Sequence, residues 1–479
     1  MQRVSSLDAG MLYAETPEMP MHTMGVLILE RPARSLFAGL RRDIGKRIHL
    51  VAPFRRRLVE GPLRLGDPHW LEDPDFSLDN HLHRAALPAP GGRRELAEFV
   101  GEVAGRLLDR SLPLWEMHLV EGLSDGNVAL VVKVHHAAMD GGRLVAMMNT
   151  LLDLAPRGHR RVVPEREWTP DQPPSLAWFA LDTSRALAAK PFSAWRALAD
   201  IGATLLRSRD AGSGEPGLQL DAGAHSAGLF EAPPTPFNGA LSRQRSVAMA
   251  DVAFADVKAI RNAFGTTVND VVLAACGGAL RDWLLGHGGL PERALIASVP
   301  VTVRSAAAGA DDAGNRVSMI FAELALQDAD PVQRLLAIHA QTARAKERHG
   351  HGKGDVFRQA TDLLTSITVP WLLTQVIELY SRSHLGEQLP PLWNLVISNL
   401  PGPQKPLYCA GARVLRLYPF GPVQLNSGLN LTVMSSAGRL CLGAMGCKRM
   451  VPDIESIADG FRCEIRALKK RALLRTRAG

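Results

Sequence analysis

A chain of 479 residues is too long for one ordinary hydrophobic core and fits two or three domains. With 46% hydrophobic and 22% charged residues it has the composition of a soluble globular protein, not of a disordered chain. The formal net charge of +7 favours anionic partners, but the densest basic runs, Arg55-Arg56-Arg57 and Lys469-Lys470-Arg471, lack the interleaved aromatics of a single-strand-binding surface, which argues against nucleic acid.

Five cysteines, an odd number without CxxC spacing, read as reduced buried thiols and not as a metal knuckle. The N-terminus lacks the apolar core of a signal peptide, so a cytoplasmic location is expected. Residues 1–155 alternate short apolar runs with helical patterns, for instance Gly25 to Glu30 and then Leu40 to Ile48, which predicts a mixed α/β domain. From 156 to about 240 the composition shifts: Pro164, Pro170, Pro173, Pro174 and a Gly/Ser-rich run from Asp210 to Gly217 mark a linker or crossover that carries its own helical stretch, Leu176 to Leu206. Alternation resumes over 241–479, with a strand at Arg245 to Met249, a helix around Phe254 to Phe264 and another from about Val268 to Leu285, which predicts a second α/β domain. The most apolar window, Leu363 to Ile377, is broken by polar residues and Pro370, so no transmembrane helix is predicted.

The chemistry is sought after Asn127 to Val134, a β-branched apolar run that reads as a buried strand. His135 and His136 stand at its end, and neighbours on an extended chain face opposite ways, so one imidazole is expected to face a cavity and the other to support it from inside. Asp140, Gly141 and Gly142 then open a helical pattern from Arg143, where the aspartate can bind backbone donors and the glycines allow a tight turn. A near-neutral imidazole suits removal of a proton from an alcohol attacking an acyl carbonyl, the role expected of His136. A zinc site would need ligands that no HExxH or Cys/His cluster supplies, and no G-x-S-x-G elbow or phosphate-cradling glycine loop occurs, so direct transfer without an acyl-enzyme is the simpler mechanism. His22, His81, His83 and His118 read as structural or solvated.

The H-H-x-x-x-D-G segment, together with Leu7-Asp8, Pro17 to His22, Pro113-Leu114-Trp115-Glu116, Val268-Asn269-Asp270 and Ser398-Asn399-Leu400-Pro401-Gly402-Pro403, resembles the bacterial wax ester synthase/acyl-CoA:diacylglycerol acyltransferases across nearly the whole chain. The resemblance implies two chloramphenicol-acetyltransferase-like α/β domains, mixed sheets flanked by helices, with 156–240 as crossover and the active site in a channel between them. It implies His136 as general base, His135 as its companion, and an architectural Asp140 paired with an arginine, for which Arg304 is the candidate. It also implies a long-chain acyl-CoA as co-substrate with no other cofactor and a diacylglycerol or fatty alcohol as acceptor; the insolubility of such products, the basic charge and the aromatic-bearing Leu176 to Leu206 stretch suggest attachment to the inner membrane surface or to lipid droplets.

The other motifs keep two readings each. Pro113, Leu114 and Trp115 read first as a turn with a buried aromatic supporting the channel wall, and second as a substrate contact. Asn269 and Asp270 begin an apolar helix, where a cap competes with a catalytic role. Ser398 and Asn399, after the strand-like Leu395 to Ile397, read as a shaped loop forming a wall, a latch or an oxyanion donor. Two rival functions stand beside the main one: a related acyltransferase with another acceptor or a carrier-bound donor, and a non-catalytic lipid-binding protein of the same fold.

Overall fold

A computed structural model of the chain describes residues 1–31, 35–61, 64, 66–139, 141–156, 170–185, 188, 232–302, 317–349, 374–375, 379 and 391–478. In chain order the N-terminal part contributes β1 (Gln2–Arg3), α1 (Ser6–Ala14), β2 (His22–Leu29), α2 (Leu36–Arg47), β3 (Arg56–Val59), β4 (His69–Glu72), β5 (Leu82–Ala86), α3 (Arg93–Gly105), β6 (Trp115–Glu121), β7 (Val128–His135) and α4 (Gly141–Leu151). The C-terminal part contributes β8 (Arg245–Ala253), α5 (Phe254–Phe264), α6 (Val268–Gly286), β9 (Ile296–Thr302), β10 (Val317–Glu323), α7 (Pro331–His349), β11 (Leu395–Pro401), β12 (Tyr408–Cys409), β13 (Ala412–Phe420), β14 (Leu429–Ser436), β15 (Arg439–Cys447) and α8 (Ile454–Ala478).

The expected α/β class with mixed sheets holds. Among the described residues two six-stranded sheets form, ordered β12-β13-β2-β7-β6-β5 and β10-β9-β11-β14-β15-β8, beside a small sheet β1-β4-β3. In the first, only β5 and β6 run parallel; in the second, β11 runs parallel to both β9 and β14. The central β2 and β7 are apolar on both faces because both faces are covered. Leu130, Val132 and Val134 of β7 pack with Leu12 of α1, Leu40 and Ile44 of α2, and Leu144 and Met148 of α4. Ala129 and Val131 point the other way, into a core with Leu96 and Val100 of α3 and with Val247, Cys441 and Met445 of the second sheet. The second sheet has its own core against α5, α6 and α8.

That shared core makes the two sheets one packed body. At Gly443 of β15 an added Cβ would sit 1.9 Å from the Pro419 carbonyl oxygen of β13, so the sheets touch backbone to backbone where only glycine fits. Beside it, Asp251 of β8 accepts from Arg416 Nε at 3.1 Å and Tyr418 Oη at 3.1 Å on β13, and from Arg439 of β15.

One departure from the sequence reading concerns connectivity. The partition into 1–155, 156–240 and 241–479 puts residues 408–420 with the C-terminal part, yet β13 pairs with β2 from Val414↔Leu29 to Phe420↔Met24. The physical reason is the edge of β2, whose unpaired N–H and C=O groups need a partner that the first 155 residues do not provide. Within the predicted linker, residues 170–185 pack on the small sheet: Trp178 meets His69 edge to face at 5.1 Å and Asp182 pairs with Arg3 at 3.1 Å.

Candidate functional site

His135 is the last residue of β7 and sits directly across from His22, the first of β2. The backbone around the pair is pinned from both sides: His135 N–H donates to Leu114 O at 2.9 Å and His136 N–H to Met21 O at 2.8 Å. The chain then turns, with Ala138 and Met139 N–H both donating to His135 O at 2.9 and 3.1 Å, and α4 starts at Gly141.

The His135 ring is fully buried, with one nitrogen hydrogen-bonded and the other facing a carboxylate. Ala137 N–H donates to its Nδ1 at 3.0 Å, so Nδ1 carries no proton and the neutral ring holds its hydrogen on Nε2. That nitrogen stands 3.3 Å from Glu15 Oε1, which also lies 3.2 Å from His22 Nε2 and accepts Met21 N–H at 3.2 Å. The other oxygen, Oε2, takes Arg110 Nη2 at 3.0 Å, and Arg110 in turn closes the end of α1 on Leu12 O at 2.6 Å. Burial would raise the Glu15 carboxyl, but hydrogen bonding and attraction from His135 and His22 outweigh it and hold it well below the usual range. Burial dominates at His22 and pushes its imidazole down to about 4, against the pull of Glu15. His136, the next residue after this anchored ring, is half-buried.

Glu15 and Arg110 were not found by sequence reasoning, and His22 was counted among the bystanders. The one available signal was the polar Glu15 closing the apolar pattern of α1 just before Pro17 to His22; nothing local linked it to a histidine 120 positions away.

The remaining sequence candidates take definite places. Leu114 and Pro113 lead into β6, and it is the Leu114 carbonyl that takes His135 N–H. Trp115 is 2% exposed and stacked between Phe54, at 4.2 Å between centroids, and His81, at 4.4 Å, with its Nε1–H donating to Phe54 O at 2.9 Å. Asp270 forms a capping box with Thr267 at the start of α6 and receives Thr342 Oγ1–H at 2.7 Å and His339 Nδ1 at 2.7 Å from α7; its neighbour Asn269 is half-buried. Burial would raise the Asp270 carboxyl, and these bonds bring it down instead. Ser398 and Asn399 are not loop residues: they continue β11 and pair with Thr432 and Val433 of β14, while the turn begins at Gly402. Asp140 and Arg304 lie outside the described residues.

A second polar group shares this face of the first sheet. Lys133, fully buried, donates to Glu116 Oε1 at 3.0 Å and Arg106 O at 2.6 Å, and His118 Nε2 lies 3.3 Å from the same carboxylate oxygen. His83, Glu116 and His118 hold their ligand-type atoms within 4.8 Å of one another, but the Lys133 ammonium already supplies the positive charge beside them. A groove of about 830 Å³ opens between α3, the start of β8 and the start of α8, lined by Arg94, Arg106, Arg245, Lys448, Glu98 and Glu102; His136 does not line it.

Comparison with known proteins agrees with this architecture. The wax ester synthase/diacylglycerol acyltransferase catalytic domain matches residues 4–272, and the C-terminal domain of the same family matches 313–469. Among curated relatives, "Putative diacyglycerol O-acyltransferase Rv1760" of Mycobacterium tuberculosis is 37% identical over 96% of this chain and 89% of its own length. A second from that organism, Rv0221, is 34% identical over 98% and 97%. The solved wax ester synthase/diacylglycerol acyltransferase from Marinobacter aquaeolei VT8 superposes with a TM-score of 0.68 at 30% identity, covering 98% of this chain and 99% of that one. The first condensation domain of the calcium-dependent antibiotic synthetase, with a TM-score of 0.57 at 16% identity over 98% and 96%, shares the fold alone. The chain therefore belongs to the wax ester synthase/diacylglycerol acyltransferase family of O-acyltransferases.

Proposed function

We propose that the protein transfers the acyl group of a long-chain acyl-CoA directly to the hydroxyl of a diacylglycerol or a fatty alcohol, forming triacylglycerol or wax ester, with His136 as general base. The observation that carries this reading is the division of labour between the two histidines. His135 is fully buried, with Nδ1 on Ala137 N–H and Nε2 facing Glu15, whereas His136 is half-buried with its backbone held at the strand end, and it is the histidine proposed to meet a substrate hydroxyl.

In the proposed step a neutral His136 nitrogen takes the hydroxyl proton as the alcohol oxygen attacks the thioester carbonyl. The C–O bond forms, the C–S bond breaks, and the proton passes from His136 to the departing thiolate, so CoA leaves as the thiol and the imidazole ends neutral. The sequence of β7 and its turn supplies no acyl-accepting serine or cysteine beside the pair, which supports single-step transfer; acyl-CoA is the proposed co-substrate, and the proposed reaction calls on no further cofactor. Asp140 is proposed as the residue that shapes the turn after His136. Attachment to the inner membrane face or to lipid droplets fits the insolubility of such products; no single helix among the described residues is long and apolar enough to cross a membrane.

The test is release of free CoA thiol from palmitoyl-CoA with hexadecanol or dipalmitoylglycerol supplied separately, comparing the native protein with a folded His136→Ala variant. Alcohol-dependent release should fall by about 10²- to 10⁴-fold in the variant. Full activity in the variant would remove His136 from the role, and no release with either alcohol from the native protein would reject these acceptors.

A further inference from the structure

We infer that Glu15 is a positioning residue for this reaction: as a carboxylate it holds the His136 loop by two separate routes. The inference rests on the reading of His136 as the base. One route runs through a side chain. Glu15 Oε1 faces the protonated Nε2 of His135 at 3.3 Å, and the opposite nitrogen of the same ring accepts Ala137 N–H at 3.0 Å, so the ring bridges the carboxylate to the residue just past His136. The other route runs through a peptide. Glu15 Oε1 accepts Met21 N–H at 3.2 Å, and Met21 O accepts His136 N–H at 2.8 Å. Both routes leave one oxygen atom and arrive on either side of the His136 side chain.

The hydrogen-bond inventory shows why the charge matters as well as the shape. The groups around Glu15 suit an acceptor: Met21 N–H donates to Oε1 and the Arg110 guanidinium to Oε2, while His22 and His135 Nε2 stand 3.2 and 3.3 Å from Oε1. A carboxylate offers two acceptor oxygens and no donor, which suits all four neighbours: Met21 N–H and Arg110 bond to it, and the two imidazoles stand within ion-pair distance. Glutamine at the same place has one acceptor and one donor end. With its oxygen inward, the NH₂ confronts Arg110; flipped, it confronts Met21 N–H and two imidazole N–H groups. The least costly escape is for His135 to move its proton to Nδ1, which abolishes the Ala137 bond and frees the loop. Arg110 completes the arrangement by placing a permanent counter-charge behind the carboxylate while tying it to the last turn of α1. A purely space-filling Glu15 would tolerate glutamine, which is nearly the same size.

The experiment compares Glu15→Gln, Glu15→Asp and the native chain in the palmitoyl-CoA assay, beside histidine-selective ¹⁵N spectra of the intact protein. Glu15→Gln is expected to lower kcat by about 10- to 100-fold with KM for palmitoyl-CoA within about twofold, the pattern of a misplaced catalytic group. Glu15→Asp, which keeps the charge, should recover part of the loss. In the native protein the His135 ring should show its proton on Nε2 and an unprotonated Nδ1. A glutamine variant with native kcat, an aspartate variant no better than glutamine at equal thermal stability, or a native His135 protonated on Nδ1 would each overturn the inference. The spectrum needs no variant, so it decides even where Glu15→Gln fails to fold. It also stands apart from the proposed function, which is rejected instead by the absence of alcohol-dependent CoA release from the native protein or by full activity in His136→Ala.

Discussion

Trp115 separates a structural from a substrate-binding role, because its surroundings allow the cost of removal to be worked out. Its indole is 2% exposed, stacked at 4.2 Å on Phe54 and at 4.4 Å on His81, and its Nε1–H donates to Phe54 O at 2.9 Å. Trp115→Phe keeps an aromatic ring in the stack but strands a buried carbonyl, which costs about 1–3 kcal/mol. Trp115→Ala also removes the ring and its contacts, for a total loss of about 3–5 kcal/mol. Urea unfolding reads both losses, and acyl-CoA kinetics on the same samples read any effect on binding. We expect the phenylalanine variant to lose stability in that range while KM for palmitoyl-CoA stays at the native value. An unchanged unfolding midpoint with a raised KM would refute the argument and make Trp115 a substrate contact.

Two further outcomes follow from the packing and the charges. Gly443→Ala should destabilise the protein by about 1–3 kcal/mol or more, since the new methyl would meet the Pro419 carbonyl oxygen at 1.9 Å and the Phe420 ring at 2.8 Å; a native melting temperature in this variant would contradict the backbone contact between the sheets. Burial would raise the Glu116 carboxyl, yet its bonds to His118 and Lys133 bring it from 4.5 down to about 2. The unfolded chain therefore takes up this proton first as pH falls, so the stability Glu116 contributes is complete above about pH 4.5 and is lost on the way down to about 2, a change of a few kcal/mol. Urea midpoints taken at about pH 5 and about pH 3 should drop less in Glu116→Gln than in the native protein; equal drops would sink the assignment.

How far the sequence could be read depended on how local the cause was. The strand before the histidine pair was legible because Val128, Val131, Val132 and Val134 form a β-branched run that only a doubly covered strand needs. Likewise α6 was legible from its apolar run from about Val268 to Leu285, while the capping box of Thr267 with Asp270 decides in favour of the cap that the sequence left open beside a catalytic role. Ser398 and Asn399 were misread because Pro401, Gly402 and Pro403 signal a turn. The signal was genuine but began later, and strand pairing with Thr432 and Val433 carried β11 through the polar residues first. Glu15 and Arg110 were invisible for another reason: a lone Glu and a lone Arg have no local pattern, and only the crossing of α1 with β2 and β7 brings them to His135. The site was thus legible where its chemistry is consecutive in the chain and hidden where distant segments assemble it.

The return of β13 to β2 bears on how the protein is made. At about 5–20 residues per second, a ribosome needs roughly 20–80 s to travel from the end of β2 to the end of β13. For that whole interval the Met24–Leu29 edge, whose eventual partners are still untranslated, has no native strand to bind. The first sheet, and with it the strand that positions the histidine pair, therefore closes only after β13 has been made, and a nascent chain released before that would carry an open, apolar strand edge of the kind chaperones recognise and aggregates recruit.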